Sequence, residues 1–240
     1  MFSLILAEAG IELVPNFMWD HPSVKNNAVK LGRRPDEVLL ETSYHYRAMR
    51  EQNLSHWWKR GRPDIVHFSL LAALSTPLYM QRRLNVYIST LNNKLILIND
   101  NLRLPKSYSR FEGLMLKLFR EKLISDPEKS RKLIELMDDI TFEDAITEIV
   151  KPDKLIGFST EGIKCNISQI LADTVKESAK NYCFVVGGFQ RGHFQKNVLN
   201  AFDNIYSISN YGLESHVVIS RILYECEKQF NETLHQPRMQ

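Results

Sequence analysis

Near the C-terminus an apolar run enters a glycine-rich turn, Phe184-Val-Val-Gly-Gly-Phe-Gln-Arg-Gly192. Shortly afterwards a second apolar step, Tyr206-Ser-Ile-Ser-Asn-Tyr-Gly-Leu213, enters another tight turn, and residues 213–227 read as the final helix. Two strand-to-turn exits this close together constrain the chain strongly. They call for neighbouring strands that deliver both turns to one end of a sheet, where the ligands of open α/β sheets bind. The pair therefore reads as one ligand pocket built from adjacent loops.

The identity of that ligand does not follow from the glycines alone. Gly187 and Gly192 have the spacing of a phosphate-binding P-loop, which needs Lys and then Ser or Thr next. His193 and Phe194 stand there instead, which argues against nucleoside triphosphate hydrolysis. The dinucleotide fingerprint G-x-G-x-x-G is absent, and the turn lies near the C-terminus rather than in a first βα unit. What remains is a turn that lets a flat ligand approach backbone N–H and C=O groups, or glycines that merely make a tight turn.

Upstream, Phe2-Ser-Leu-Ile-Leu-Ala is a buried-strand candidate. Asp36 is placed to cap a helix running through about Arg50. Residues 57–64, Trp57-Trp-Lys-Arg-Gly-Arg-Pro-Asp64, read as a basic, aromatic loop, with a mostly apolar helix over residues 65–74. Residues 85–90 and 95–99, joined by Leu91-Asn-Asn-Lys94, predict a β-hairpin, because asparagine tolerates the positive φ of a hairpin turn. Residues 100–110 form a basic loop and 110–122 a helix; the charge-rich stretch 126–150 reads as one or two surface helices. Residues 155–159 predict a strand, 168–180 a helix and 182–186 the strand feeding the glycine turn. Strands alternating with helices argue for an α/β sheet with parallel pairs.

Bulk properties exclude several classes. The 240 residues, 44% apolar and 25% charged, suit one large domain or a domain with an insertion. No apolar run is long enough to span a bilayer, and the apolar start has no basic lead-in, so neither membrane anchor nor signal peptide is expected. Three cysteines without metal-ligand spacing fit a reducing, cytoplasmic setting and no metal site. A net charge of +3 does not by itself imply nucleic acid.

With these residues in view, the chain resembles the SPOUT-class methyltransferases, and more narrowly the ribosome-biogenesis family that methylates N1 of a pseudouridine in small-subunit ribosomal RNA. The matching segments are Leu4-Ile-Leu-Ala-Glu-Ala-Gly10, Arg62-Pro-Asp-Ile-Val-His67, Leu102-Arg-Leu-Pro-Lys-Ser-Tyr-Ser-Arg-Phe-Glu-Gly113, Val185-Val-Gly-Gly-Phe-Gln-Arg-Gly192 and Ile208-Ser-Asn-Tyr-Gly-Leu213. They span essentially the whole chain, and five segments in one order are far more specific than one glycine loop. The compact length looks like the archaeal form.

The resemblance implies a SPOUT-type α/β sheet with helices on both faces, a C-terminal trefoil knot and a homodimer. It implies one domain over residues 1–240, with an RNA-contacting β-hairpin and helix insertion over approximately 80–125. S-adenosylmethionine is expected in the knotted loops, held by Thr160, Gly187, Gly192, Ile208, Ser209, Asn210, Tyr211, Gly212 and Leu213. Gly212 departs from the family, which usually has proline there.

The RNA side can be read on its own physics. Arg103, Lys106 and Arg110 stand three and four residues apart around Pro105 and Tyr108. On one face they put three cations within reach of successive phosphates, with an aromatic ring for stacking. Arg62 adds a fourth, and Asp64 can hold its guanidinium in a bidentate pair. These four match the family's RNA-contacting positions, Lys106 replacing the common arginine and giving up its planar fork. Trp57, Trp58, Lys59 and Arg60 either extend this surface or include buried tryptophans. Asp64 is the one candidate catalytic residue, orienting Arg62 and helping to relay the N1 proton. His193 and His216 read as core or surface histidines. Two other readings stay open: an RNA-binding assembly factor with secondary or no methylation, and a SPOUT methyltransferase of another RNA position.

Overall fold

A computed structural model describes residues 1–100, 102–128, 130–176 and 181–235. Its strands are β1 (Phe2–Ala9), β2 (Leu84–Thr90), β3 (Leu95–Ile98), β4 (Leu123–Asp126), β5 (Arg131–Met137), β6 (Lys154–Lys164), β7 (Tyr182–Gly187) and β8 (Asn204–Ser207). They form one eight-stranded sheet in the order β4-β5-β3-β2-β1-β7-β6-β8. β1 runs parallel to β2 and β7, and β6 parallel to β7 and β8. The β4, β5 and β3 side is antiparallel.

β1 sits at the centre because every residue after Phe2 is buried. A parallel strand covered on both faces reads as an unbroken apolar run, and Leu4-Ile-Leu-Ala is such a run. The two-residue period sorts its side chains. Leu4 and Leu6 join the larger core, whereas Ile5 and Ala7 join a smaller one on the other face.

The helices are α1 (Pro22–Leu31), α2 (Thr42–Glu51), α3 (Pro63–Leu74), α4 (Pro77–Met80), α5 (Tyr108–Glu121), α6 (Phe142–Asp144), α7 (Ile167–Lys176), α8 (Lys196–Ala201) and α9 (Ser215–His235). Val66 and Leu70 of α3, Phe111 and Met115 of α5, Ile170 of α7 and Ile219 of α9 cover the larger core. Phe142 of α6 and Val198 of α8 cover the other face. Helices thus flank the sheet on both sides, as the alternation of strands and helices requires. A third cluster joins α1 and α2 to Val14, Val38 and Leu40.

The expected hairpin is β2–β3, and Asn93 adopts φ 56° in its turn. Two expectations need correction. Residues 126–150 are not simply surface helices: the stretch begins with the end of β4 and all of β5, followed by α6 and a π-helical turn at Ala145–Val150. Its charges fit a helical spacing, but Ile134 and Leu136 are buried at a two-residue period and pair with Ile98 and Ile96 of β3. Tertiary pairing overrides the local pattern there. Nor does Asp36 cap a long helix. Residues 35–37 make a single turn, and the Val14 N–H donates to the Val38 carbonyl (3.0 Å) while the Leu40 N–H donates to that of Glu12 (2.9 Å). These bonds hold residues 38–40 extended, so α2 starts only at Thr42. The expected run of the helix at residue 168 onward to Lys180 lies, past Lys176, outside the described residues.

Candidate functional site

Because β6, β7 and β8 are parallel, their carboxyl ends open on one side of the sheet. A cavity of about 310 Å³ lies there, within the range of small-molecule sites. Thr160, Gly187, Gly192, Ile208, Ser209, Tyr211, Gly212 and Leu213 all line it, together with Phe158, Val186 and Glu214. Asn210 does not line it and is exposed beside it. The two turns that stand apart in the sequence thus close on one space.

Local hydrogen bonds shape these walls. The Gly188 N–H donates to the Ala7 carbonyl at 2.7 Å, and its own carbonyl accepts from the Gly10 N–H at 3.1 Å, so the turn is fastened to the end of β1. Gly192 has φ 95°, a conformation open to glycine and strained for residues with a Cβ. Ser215 donates from Oγ to the Gly187 carbonyl at 2.5 Å, tying the first residue of α9 to the end of β7. Ser209 Oγ accepts the Tyr211 N–H at 3.0 Å and closes the second turn.

Arg62 sits immediately before α3, whose first residue is Pro63 and whose first turn carries Asp64. Proline suits that position because its missing N–H would have no helical partner anyway. Arg62 donates from Nε and Nη2 to the two carboxylate oxygens of Asp64, at 2.8 and 2.7 Å. That bond raises the guanidinium pKa above its ordinary value; burial opposes the rise, and the charges of Asp64 and of cavity-lining Glu214 add to it. The Arg62 N–H donates to the Gly10 carbonyl at 2.9 Å, and Gly10 is hydrogen-bonded in turn to Gly188, between cavity-lining Gly187 and Phe189, so Arg62 stands beside the glycine-turn wall of the cavity.

Arg103, Lys106 and Arg110 are exposed and have no ion-pair partner among the described residues. His67 Nε2 lies 2.8 Å from the Pro105 carbonyl oxygen, so α3 also anchors the segment that carries these cations. Tyr108 is not a free stacking ring. It is half-buried, packs against His67 and Phe111, and donates from its hydroxyl to Glu41 at 2.5 Å. Burial pushes the Glu41 carboxyl up and, with the Glu41 bond, the Tyr108 phenol well above its ordinary value.

A model of the family described as EMG1/NEP1 methyltransferase matches residues 4–227. The chain belongs to this family. Among its relatives, the ribosomal RNA small subunit methyltransferase Nep1 of Sulfurisphaera tokodaii is 35% identical over 95% of this chain and 97% of its own. That of Methanothrix thermoacetophila is 38% identical over 95% and 96%. The crystal structure of Archaeoglobus fulgidus Nep1 bound to S-adenosylhomocysteine matches with a TM-score of 0.81 at 33% identity, covering 95% of this chain and 98% of that one.

Several features of this EMG1/NEP1 chain had no sequence signal. Lys59 and Arg60, read as candidates for the RNA surface, are already engaged: Lys59 is buried against Glu8, and Arg60 donates from Nε to Glu12 at 2.6 Å. Their acidic partners lie 51 and 48 residues away. Of the tryptophans, Trp57 is half-buried and Trp58 exposed. His193 is exposed and pairs with Glu161 at 3.2 Å, and His216 packs against the Phe68 ring. Among the described residues no group of His, Cys, Asp and Glu is arranged to hold a metal ion, and no helix is long and apolar enough to cross a membrane.

Proposed function

We propose that this EMG1/NEP1 methyltransferase transfers a methyl group from S-adenosylmethionine to N1 of a pseudouridine in small-subunit ribosomal RNA, and serves ribosome biogenesis. One observation carries the reading. Arg62 is joined through Gly10 to the glycine turn that walls the cavity, and α3, which begins just after Arg62, also anchors the segment bearing Arg103, Lys106 and Arg110. A small-molecule pocket and cations without an ion-pair partner among the described residues are thus linked through Arg62 and α3. The Nep1 relatives, small-subunit ribosomal RNA methyltransferases, and the S-adenosylhomocysteine bound to the Archaeoglobus fulgidus protein support the cofactor and the RNA class.

The cavity fits the cofactor. Its volume suits a small ligand, Phe158, Val186, Ile208 and Leu213 offer apolar walls to an adenine, and the glycine turn leaves backbone groups approachable. S-adenosylmethionine, when bound, supplies a methyl group on a positively charged sulfur; the protein's task is then chiefly to place the acceptor nitrogen in line with it. Thr160, the Gly187 to Gly192 turn and residues 208–213 hold the cofactor in this reading. Arg62, Arg103, Lys106 and Arg110 bind phosphates. Asp64 orients Arg62 by accepting from two of its donors, and in this reading helps to relay the N1 proton.

The remaining family features belong to the same proposal. A single domain is supported by β2 and β3 standing in the common sheet, with the RNA-contacting segment over approximately 80–125 inside it. The C-terminal trefoil knot belongs to this reading as a feature of the family. The exposed rings of Phe68 on α3 and Tyr224 on α9 support a homodimer. Three cysteines without a disulfide support a cytoplasmic location.

The test is a calorimetric titration with S-adenosylmethionine followed by methyl transfer, from labelled cofactor, to matched hairpins containing pseudouridine or uridine. Micromolar binding and transfer to the pseudouridine hairpin alone are expected. Absence of cofactor binding refutes the enzyme reading, and equal transfer to both hairpins refutes the acceptor.

A further inference from the structure

Glu8 and Lys59 are ionisable yet almost wholly buried, with side chains 5% and 4% exposed, and they form an ion pair. Burying two charges costs solvation that a single contact seldom returns, so the remaining partners of the pair are informative. The Lys59 ammonium also donates to the His193 carbonyl and sits 4.3 Å from the centre of the Phe189 ring. The second carboxylate oxygen of Glu8 accepts the Gln195 N–H at 2.6 Å. Phe189 and His193 both line the cavity. Glu8 itself has φ 51°, a left-handed conformation that a glutamate adopts at a cost, at the point where β1 falls out of register with β2.

The other side of the pair faces the RNA-contacting residues. A Cβ on Gly10 would stand 2.4 Å from the Lys59 carbonyl oxygen, and the Gly10 carbonyl accepts the Arg62 N–H at 2.9 Å. The segment from Lys59 to Arg62 is therefore clamped to the end of β1, just as the return leg of the glycine turn is.

We infer that Glu8 and Lys59 are a positioning pair that sets the Phe189–His193 wall of the cavity and holds it in register with Arg62. The inference rests on the reading of the cavity as a cofactor site. Neither residue touches the reacting atoms; both act through the loop they hold.

The test compares Lys59→Met, Glu8→Gln and the double variant by thermal melting, calorimetry with S-adenosylmethionine and binding of an RNA hairpin. Each single variant is expected to melt lower and to bind cofactor about tenfold or more weakly, because small misplacements at such sites are costly. Hairpin affinity is expected to fall less than cofactor affinity, since Arg103, Lys106 and Arg110 stand on a segment anchored by His67 rather than by this pair. The double variant leaves no unpaired buried charge, so melting recovers; cofactor affinity does not, because the ammonium that held His193 and Phe189 is gone. Recovery of both together means that the pair is only structural and overturns the inference, as does wild-type cofactor affinity in any variant. Should a single variant fail to fold, the double variant decides. A wild-type protein that binds no cofactor overturns the reading of the cavity and the inference with it.

Discussion

His67 Nε2 lies 2.8 Å from the carbonyl oxygen of Pro105. A carbonyl can only accept, so this ring nitrogen carries the proton. The ring is buried and stacks on Phe111 at 4.4 Å, and α3 thereby fixes where Arg103 and Lys106 stand relative to Arg62. His67→Phe keeps the stacking and loses the bond. A hydrogen bond of about 1 kcal/mol corresponds to RNA binding about fivefold weaker, with cofactor affinity unchanged. Hairpin binding by fluorescence anisotropy reads the first quantity and calorimetry the second.

Arg103 and Arg110 carry exposed charges with no protein partner among the described residues. If both meet phosphates, Arg103→Ala with Arg110→Ala lowers the slope of log affinity against log salt by about 2. An unchanged slope, measured over a salt series, removes this surface from the RNA interface.

Asp64 occupies two of the Arg62 donors, Nε and Nη2. Asp64→Asn breaks the matched fork, because an amide offers one acceptor where the carboxylate offers two. Methyl transfer to a pseudouridine hairpin is expected to fall by about fivefold to thirtyfold, equivalent to ~1–2 kcal/mol. The cofactor dissociation constant is expected to hold, so the loss appears in kcat/KM for RNA.

His45 supplies a pH dependence of stability. Its Nδ1 accepts the Glu41 N–H at 3.0 Å, and its Nε2 is buried without a hydrogen-bond partner among the described residues. Burial, assisted by His21, lowers its pKa from 6.5 to about 4. The folded value is depressed, so the unfolded chain takes up the proton first. The stabilising contribution is whole above the unfolded pKa and is lost as pH falls toward the folded one. Denaturant unfolding is expected to show a loss of about 1–2 kcal/mol between pH 7 and pH 5 from this group. His45→Gln flattens that acid limb.

Much of the site was legible because turns carry local signals. The glycines at 187 and 192 mark a loop, and the apolar runs before each turn mark strands that deliver it to the sheet end. The bidentate Arg62–Asp64 pair was legible because its members are two residues apart. What escaped depends on distant pairing. β5 was hidden because its partner β3 is supplied from elsewhere in the chain, and only that contact turns a charged, helix-like stretch into a strand. The Glu8–Lys59 and Glu12–Arg60 pairs were hidden because no spacing rule links residues about fifty positions apart. Tyr108 looked like a stacking ring, and only the fold brings Glu41 to its hydroxyl.

The most direct measurement is nucleoside mass spectrometry of small-subunit ribosomal RNA, carrying its pseudouridines, after incubation with the protein and labelled S-adenosylmethionine. The expected result is label in N1-methylpseudouridine at one position, abolished by competing S-adenosylhomocysteine. Label in a ribose methyl group or in methylated uridine, or no label at all, contradicts the account.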